Sequence, residues 1–106
     1  MSGVIGRWTS DDIVITVPMD LRGMNVFVTF KQDDVVVLEK NDTQMTIEEK
    51  TVTVPLTQAD SGRLKKGPLS FMIRAISQTG GSYISYPLYT EVLESYKQGV
   101  LEYAER

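Results

Sequence analysis

Carboxylates are the side chains here best suited to chemistry. Asp33-Asp34, with Asp11-Asp12, offers oxygen ligands of the kind calcium takes, and Glu48-Glu49 repeats the pattern more weakly. No Asp-x-Asp-x-Asp-Gly loop accompanies them, and paired aspartates are ordinary hairpin-turn residues, so turns are expected and no metal. A glycosidase pair needs two carboxylates facing each other across a cleft roughly 5 to 10 Å wide, which spacing along the chain does not establish. Arg63, Lys65 and Lys66, with Arg74 further on, form the one basic cluster, suited to a phosphate or an acidic loop. Without interleaved aromatics it reads as a solvated loop between Gly62 and Gly67. Trp8, Tyr83, Tyr86 and Tyr89 are the candidates for a sugar-stacking platform. Tyr83 and Tyr89 share one parity along a strand and Tyr86 the other, so packing on neighbours is the plainer expectation. Gly80-Gly81 lacks a following Gly-Lys-Ser/Thr and is a turn, not a phosphate loop.

The missing residue types narrow the field further. The chain has 106 residues with no cysteine and no histidine, which removes disulfides, thiol nucleophiles, zinc ribbons and the commonest general base. No cofactor is expected. A net charge of −3 lacks the cationic footprint that nucleic acid or an anionic membrane demands, leaving protein or sugar as the expected partner. Met1 to Asp12 has no basic start followed by an apolar run, so cytosolic synthesis is expected. With 42% hydrophobic and 24% charged residues, one soluble globular core is expected.

Two-residue alternation dominates. Met24, Val26, Val28 and Phe30 share one face of a strand, and Leu69, Phe71, Ile73 and Ala75 share one face of another. Ile13–Val17, Val35–Lys40, Met45–Glu48 and Thr51–Leu56 supply four more, with turns at Asp33-Asp34 and Asn41–Thr43 that suggest two hairpins. Ser82 to about Val92 is a seventh, interrupted by Pro87. Thr57-Gln-Ala-Asp60 has the spacing of a capping pair, which predicts one helical turn crossing between sheets and ending at Gly62. Seven short strands without a crossover helix imply an all-β, antiparallel, Ig-like β-sandwich over residues 1–93. Beyond it, Leu93, Tyr96, Val100 and Tyr103 recur at helical steps and predict a short C-terminal helix in a tail over 94–106, weakened by Gly99.

The order of these motifs is distinctive. It runs from Pro18 through Asp20-Leu21-x-Gly23, Phe30-Lys31-Gln32 and Val37-Leu38-Glu39-Lys40 to Val54-x-Leu56-Thr57-Gln58-x-Asp60-Ser61-Gly62, then Gly67, Phe71-x-Ile73-Arg74, Ser85 and Val92. Over residues 12 to 93 this resembles small β-sandwich proteins of phage and prophage tails and baseplates in low-GC Gram-positive bacteria. It is similar, too, to the N-terminal domains of some upper-baseplate proteins. The resemblance implies a non-enzymatic structural or assembly role in the virion, after synthesis in the host cytoplasm, through contacts with other tail or baseplate proteins or with further copies. It brings no catalytic residue. The tail face of Leu93, Tyr96, Val100 and Tyr103 is the expected interface. The alternative is a carbohydrate-binding or adhesin-like sandwich, and an enzyme using carboxylates alone ranks last.

Overall fold

The computed structural model describes residues 4–104. Nine strands occur among them: β1 (Val4–Gly6), β2 (Asp11–Thr16), β3 (Asn25–Gln32), β4 (Val35–Asn41), β5 (Thr46–Glu48), β6 (Thr51–Leu56), β7 (Gly67–Ile76), β8 (Ser82–Ile84) and β9 (Leu88–Leu93). One helix, α1 (Gln58–Gly62), lies between β6 and β7. The strands form a six-stranded sheet in the order β1-β9-β7-β3-β4, with β8 also paired to β7, and a three-stranded sheet in the order β2-β6-β5. All pairings are antiparallel except β1 with β9. The chain is thus an all-β sandwich.

The alternating residues become its interior. Val26, Val28 and Phe30 from β3 and Leu69, Phe71, Ile73 and Ala75 from β7 meet Ile13, Ile15, Val52, Val54 and Leu56 from the other sheet in one buried cluster. Phe30 and Phe71 sit opposite each other in the ladder, with ring centroids 5.4 Å apart. At the end of β3 the buried Gln32 carboxamide donates to the Lys65 carbonyl at 2.7 Å and accepts from the Lys65 N–H at 2.9 Å. Lys65 therefore belongs to a loop whose backbone is held from below.

The turns follow from local chemistry. Asp33 and Asp34 both take positive φ, 51° and 63°, giving the two-residue hairpin whose twist matches its strands. Thr57 caps α1 by accepting from the Asp60 N–H, while the Asp60 carboxylate accepts from the Thr57 N–H. The helical turn between sheets is where the sequence places it.

Four expectations need correction. The turn at Asn41–Thr43 makes no hairpin: Asn41 caps a 3-10 turn over Asp42–Gln44 that carries the chain from β4 to β5 in the other sheet. The strand count is nine rather than seven, because Val4–Gly6 pairs in parallel with β9 and the last predicted strand is two. Between β8 and β9, Ser85 uses its hydroxyl to accept the Ile73 N–H and its own N–H to reach the Ile73 carbonyl, so Tyr86 and Pro87 stand outside the ladder. That insertion reverses the parity: Tyr83 packs against the core, whereas Tyr89 points outward. Finally, residues 94–104 contain no helix. Leu93 is the last residue of β9, and Gly99 has φ of 92°, a left-handed conformation that interrupts helical winding. Residues 105–106 of the predicted tail lie outside the described residues.

Candidate interaction surface

In a strand that buries every second residue, the residues between them must face outward. On β3 the outward set is Phe27, Thr29 and Lys31, and on β7 it is Ser70, Met72, Arg74 and Ile76. Register places Phe27 beside Arg74 and Arg74 beside Ile84 in one rung, Thr29 between Glu39 and Met72 in the next, and Lys31 between Val36 and Ser70 in the third. Tyr89 extends the third rung on β9. The large side chains on this face are open to solvent: Phe27 by 40%, Ile76 by 48%, Ile84 by 59% and Tyr89 by 70%.

Two shallow hollows mark the face. One, of about 310 Å³, is lined by Phe27, Thr29, Glu39, Arg74 and Ile76 among others. The second, of about 300 Å³, has Met72, Ile84, Pro87 and Tyr89 as its apolar walls and Lys31 and Arg74 at its rim. Lys31 pairs with Asp34 at 3.0 Å, and Glu39 accepts a hydrogen bond from the Thr29 hydroxyl at 2.8 Å. Arg74, between the two hollows, makes no ion pair among the described residues.

The proposed metal and catalytic carboxylates are dispersed. Asp33 pairs with Lys65 and Asp34 with Lys31, while Asp11 accepts from the Thr9 hydroxyl. No group of three or more acidic side chains is arranged to hold a metal ion among the described residues. Glu48 and Glu49 line an open hollow with Arg22 and Lys50, side by side on a surface turn rather than facing each other. Arg22 reaches Glu49 at 4.0 Å but grips Asp20 at 2.6 Å, and its side-chain hydrogen bond holds the Asp20 carboxyl below the usual aspartate range. Arg63, Lys65 and Lys66 lie in the loop before β7, separate from Arg74 on the sheet face.

The aromatic platform does not assemble either. Tyr83 faces the core, Tyr86 is 90% exposed, and Trp8 lies elsewhere, its ring against Gly62 and its indole N–H donating to Gln98 at 3.0 Å. Trp8 belongs to a junction built on the motif from Leu56 to Gly62. There the buried Ser61 hydroxyl accepts from the Thr9 N–H and donates to the Thr9 carbonyl, and Arg7 donates to the Gly62 carbonyl at 2.8 Å. Arg7 also pairs with Glu94 at 2.7 Å and keeps its carboxyl below the usual range, assisted by Gln98 and the Ser95 N–H. The Gln58 carboxamide brackets the Leu101 backbone, donating to its carbonyl at 3.0 Å and accepting from its N–H at 2.6 Å. Beside them, burial pushes the Asp60 carboxyl up, but Lys40 at 2.7 Å and Thr57 more than offset it and hold it low. Gln58, Asp60, Ser61 and Gly62 thus do structural work.

Of the expected interface, Leu93, Tyr96, Val100 and Tyr103 are all exposed, by 56%, 103%, 58% and 92%, and after Leu93 they lie along an irregular, bent segment without a shared helical face. Phe27, Met72, Ile76 and Ile84 were not singled out in the sequence. Their signal was available: apolar residues at the outward positions of strands whose inward positions are already apolar.

No protein-family model and no curated protein matches this sequence. Among solved structures, the chain is similar in fold to part of a Bacteroides vulgatus protein described as a "putative glycoside hydrolase", with 8% identity and a TM-score of 0.52. The alignment covers 89% of this chain and 17% of that one, so the likeness concerns the shape of one small portion of a much longer protein.

Proposed function

We propose that this chain is a non-enzymatic interaction module of a phage or prophage tail or baseplate, built on an Ig-like sandwich and acting in the virion through protein contacts. The observation that supports it is the outward face of the six-stranded sheet, where Phe27, Met72, Arg74, Ile84 and Tyr89 stand together. Aromatic residues, methionine and arginine are the types enriched at protein interfaces, and an apolar patch rimmed by charge is a contact surface more often than a reaction site. The tail reading itself rests on the order of motifs in the sequence.

Particles of the phage or induced prophage carrying this gene supply the test. The chain should co-purify with tails, and Ile84→Asp should retain the folded spectrum yet fail to enter them. A wild-type chain missing from complete tails overturns the proposal. Alanine at Leu93, Tyr96 and Val100 asks whether the terminal segment also contributes: incorporation should fall if it does, and unchanged incorporation leaves the sheet face alone. A carbohydrate-binding reading has one observation in its favour, the exposed Tyr86 and Tyr89 flanking Pro87. Tyrosine emission that changes with host cell-wall polysaccharide, and not with tail proteins, would move the assignment there.

A further inference from the structure

An arginine in an apolar patch is poorly placed unless a carboxylate meets it when the patch is covered. Arg74 is that arginine, and Glu39, on the same face and lining the same hollow, has no cationic partner among the described residues. The two stand on β7 and β4 with β3 between them, one rung out of step, because Arg74 neighbours Phe27 and Glu39 neighbours Thr29. Strand spacing and rise put their Cα atoms roughly 12 Å apart.

We propose that this face is a two-fold interface with a second copy of the chain, in which Arg74 of each copy pairs with Glu39 of the other over Phe27 and Thr29. The inference rests on reading the face as a contact surface and names what covers it. A two-fold axis lying in the interface, midway between two points and perpendicular to the line joining them, exchanges those points. One such axis over β3 therefore brings Arg74 to Glu39 of the other copy and Glu39 to its Arg74 in a single step, the self-complementarity an isologous contact requires. A different protein would have to present an acid and a base at the matching separation, whereas a second copy carries both by construction. The area is sufficient but small. Four rows about 4.8 Å apart and about eight residues long, β4, β3, β7 and the edge that β8 and β9 share, give roughly 500 Å² per copy, near the lower limit for a specific pair, so dimerisation should be weak and dependent on concentration and salt.

Charge exchange tests the pairing. Light scattering on the full chain from micromolar to millimolar concentration at low salt should show a monomer passing to a dimer. Arg74→Glu sets Glu against Glu39 in a like pair, and Glu39→Arg sets Arg against Arg74, so each variant alone should dimerise at least tenfold more weakly. Mixed one to one, they restore both attractive pairs across a heterodimer, and its affinity should return to within about threefold of wild type. Glu39→Gln, which removes charge without reversing it, should fall between, and unchanged circular dichroism establishes that each variant is folded. A wild-type chain that stays monomeric at every concentration overturns the second copy as partner. So does a mixture no tighter than its components. If in either case Ile84→Asp still blocks entry into tails, the contact surface stands and its partner is a different protein. If wild type dimerises and neither the charge variants nor Ile84→Asp changes dimerisation or incorporation, both readings fall together.

Discussion

Both sheets bury one row of their longer strands, but they present different residues to water. The three-stranded sheet turns out Asp12, Val14 and Thr16 on β2, Thr51, Thr53 and Pro55 on β6, and Thr46 and Glu48 on β5. The six-stranded sheet turns out Thr29, Lys31, Glu39 and Ser70 too, but beside them stand Phe27, Met72, Arg74, Ile76, Ile84 and Tyr89. Inward rows are dictated by folding, since each must fill the same interior. Outward rows are free of that demand, and threonine meets it as well as any residue, being β-branched yet content in water. An outward phenylalanine or isoleucine gains little for the folded monomer and raises the hazard of unwanted association. The apolar face therefore reflects a use beyond folding, and the threonine face shows what a sheet in this same chain looks like without one.

That contrast presumes a shared, rigid interior, so the largest expected effect comes from disturbing the junction that closes it. A Cβ on Gly62 would overlap the Trp8 ring. Gly62→Ala should destabilise the chain by about 2 to 3 kcal/mol, as overpacking of a tight contact does. The loss appears as a lower denaturant midpoint followed by circular dichroism. Adding Trp8→Ala should recover part of it, so that the double variant is less impaired than the two single changes summed. Strict additivity would mean that Trp8 and Gly62 do not meet.

A smaller effect distinguishes the borders of the two faces. Lys40 of β4 and Asp60 of α1 form an ion pair in which both side chains are mostly covered, at 11% and 15% exposure. The pair fastens the strand that bounds the apolar face and leaves β2 and β5 of the threonine face untouched. Asp60→Asn should cost about 1 to 2 kcal/mol through the weakened cap and the unpaired ammonium, and amide exchange should quicken along β4 before β2. The sign of the pH dependence follows from the lowered carboxyl. Because Asp60 holds its proton less tightly when folded, its stabilisation is complete above the ordinary aspartate value of 3.8 and is lost as pH falls through the lower folded value. Denaturation between pH 2 and pH 6 should show that slope in the wild type and a shallower one in Asp60→Asn. Equal slopes would place the acid sensitivity in other carboxylates.

Local patterns were legible in the sequence, and adjacency was not. Alternation in Met24–Phe30 and Leu69–Ala75 fixes which residues are buried, because a strand's period is set by its own backbone. The Thr57–Asp60 cap and the Asp33-Asp34 turn are legible for the same reason: their hydrogen bonds or dihedrals close within four residues. By contrast, the parallel pairing of Val4–Gly6 with Glu91–Leu93 joins the two ends of the chain, and three residues carry no period. The steps from Leu93 to Tyr103 imitate a helix, but the strand claims Leu93 and Gly99 turns left-handed. The candidate face suffers most. Phe27, Met72 and Arg74 are visible as outward positions, whereas the insertion between β8 and β9 hides that Ile84 and Tyr89 share their face, and only the order β4-β3-β7-β8 shows that Glu39, Phe27, Arg74 and Ile84 are neighbours.

The finest test leaves stability almost alone and asks only what each face is for. Phe27 and Thr53 occupy equivalent places, each on a strand central to its sheet, each facing outward between two paired neighbours. Aspartate at either position is exposed and lies poorly in a strand, so Phe27→Asp and Thr53→Asp should each shift stability by no more than about 1 kcal/mol, and by similar amounts. Their effects on association should diverge. A buried charge at the centre of a contact lacks a partner, so Phe27→Asp should abolish concentration-dependent dimerisation, while Thr53→Asp, on a face already at home in water, should leave it at the wild-type level. If the threonine substitution proved the damaging one, the assignment of roles to the two faces would have to be reversed, because outward apolarity would then be a by-product of strand propensity rather than the mark of an interface.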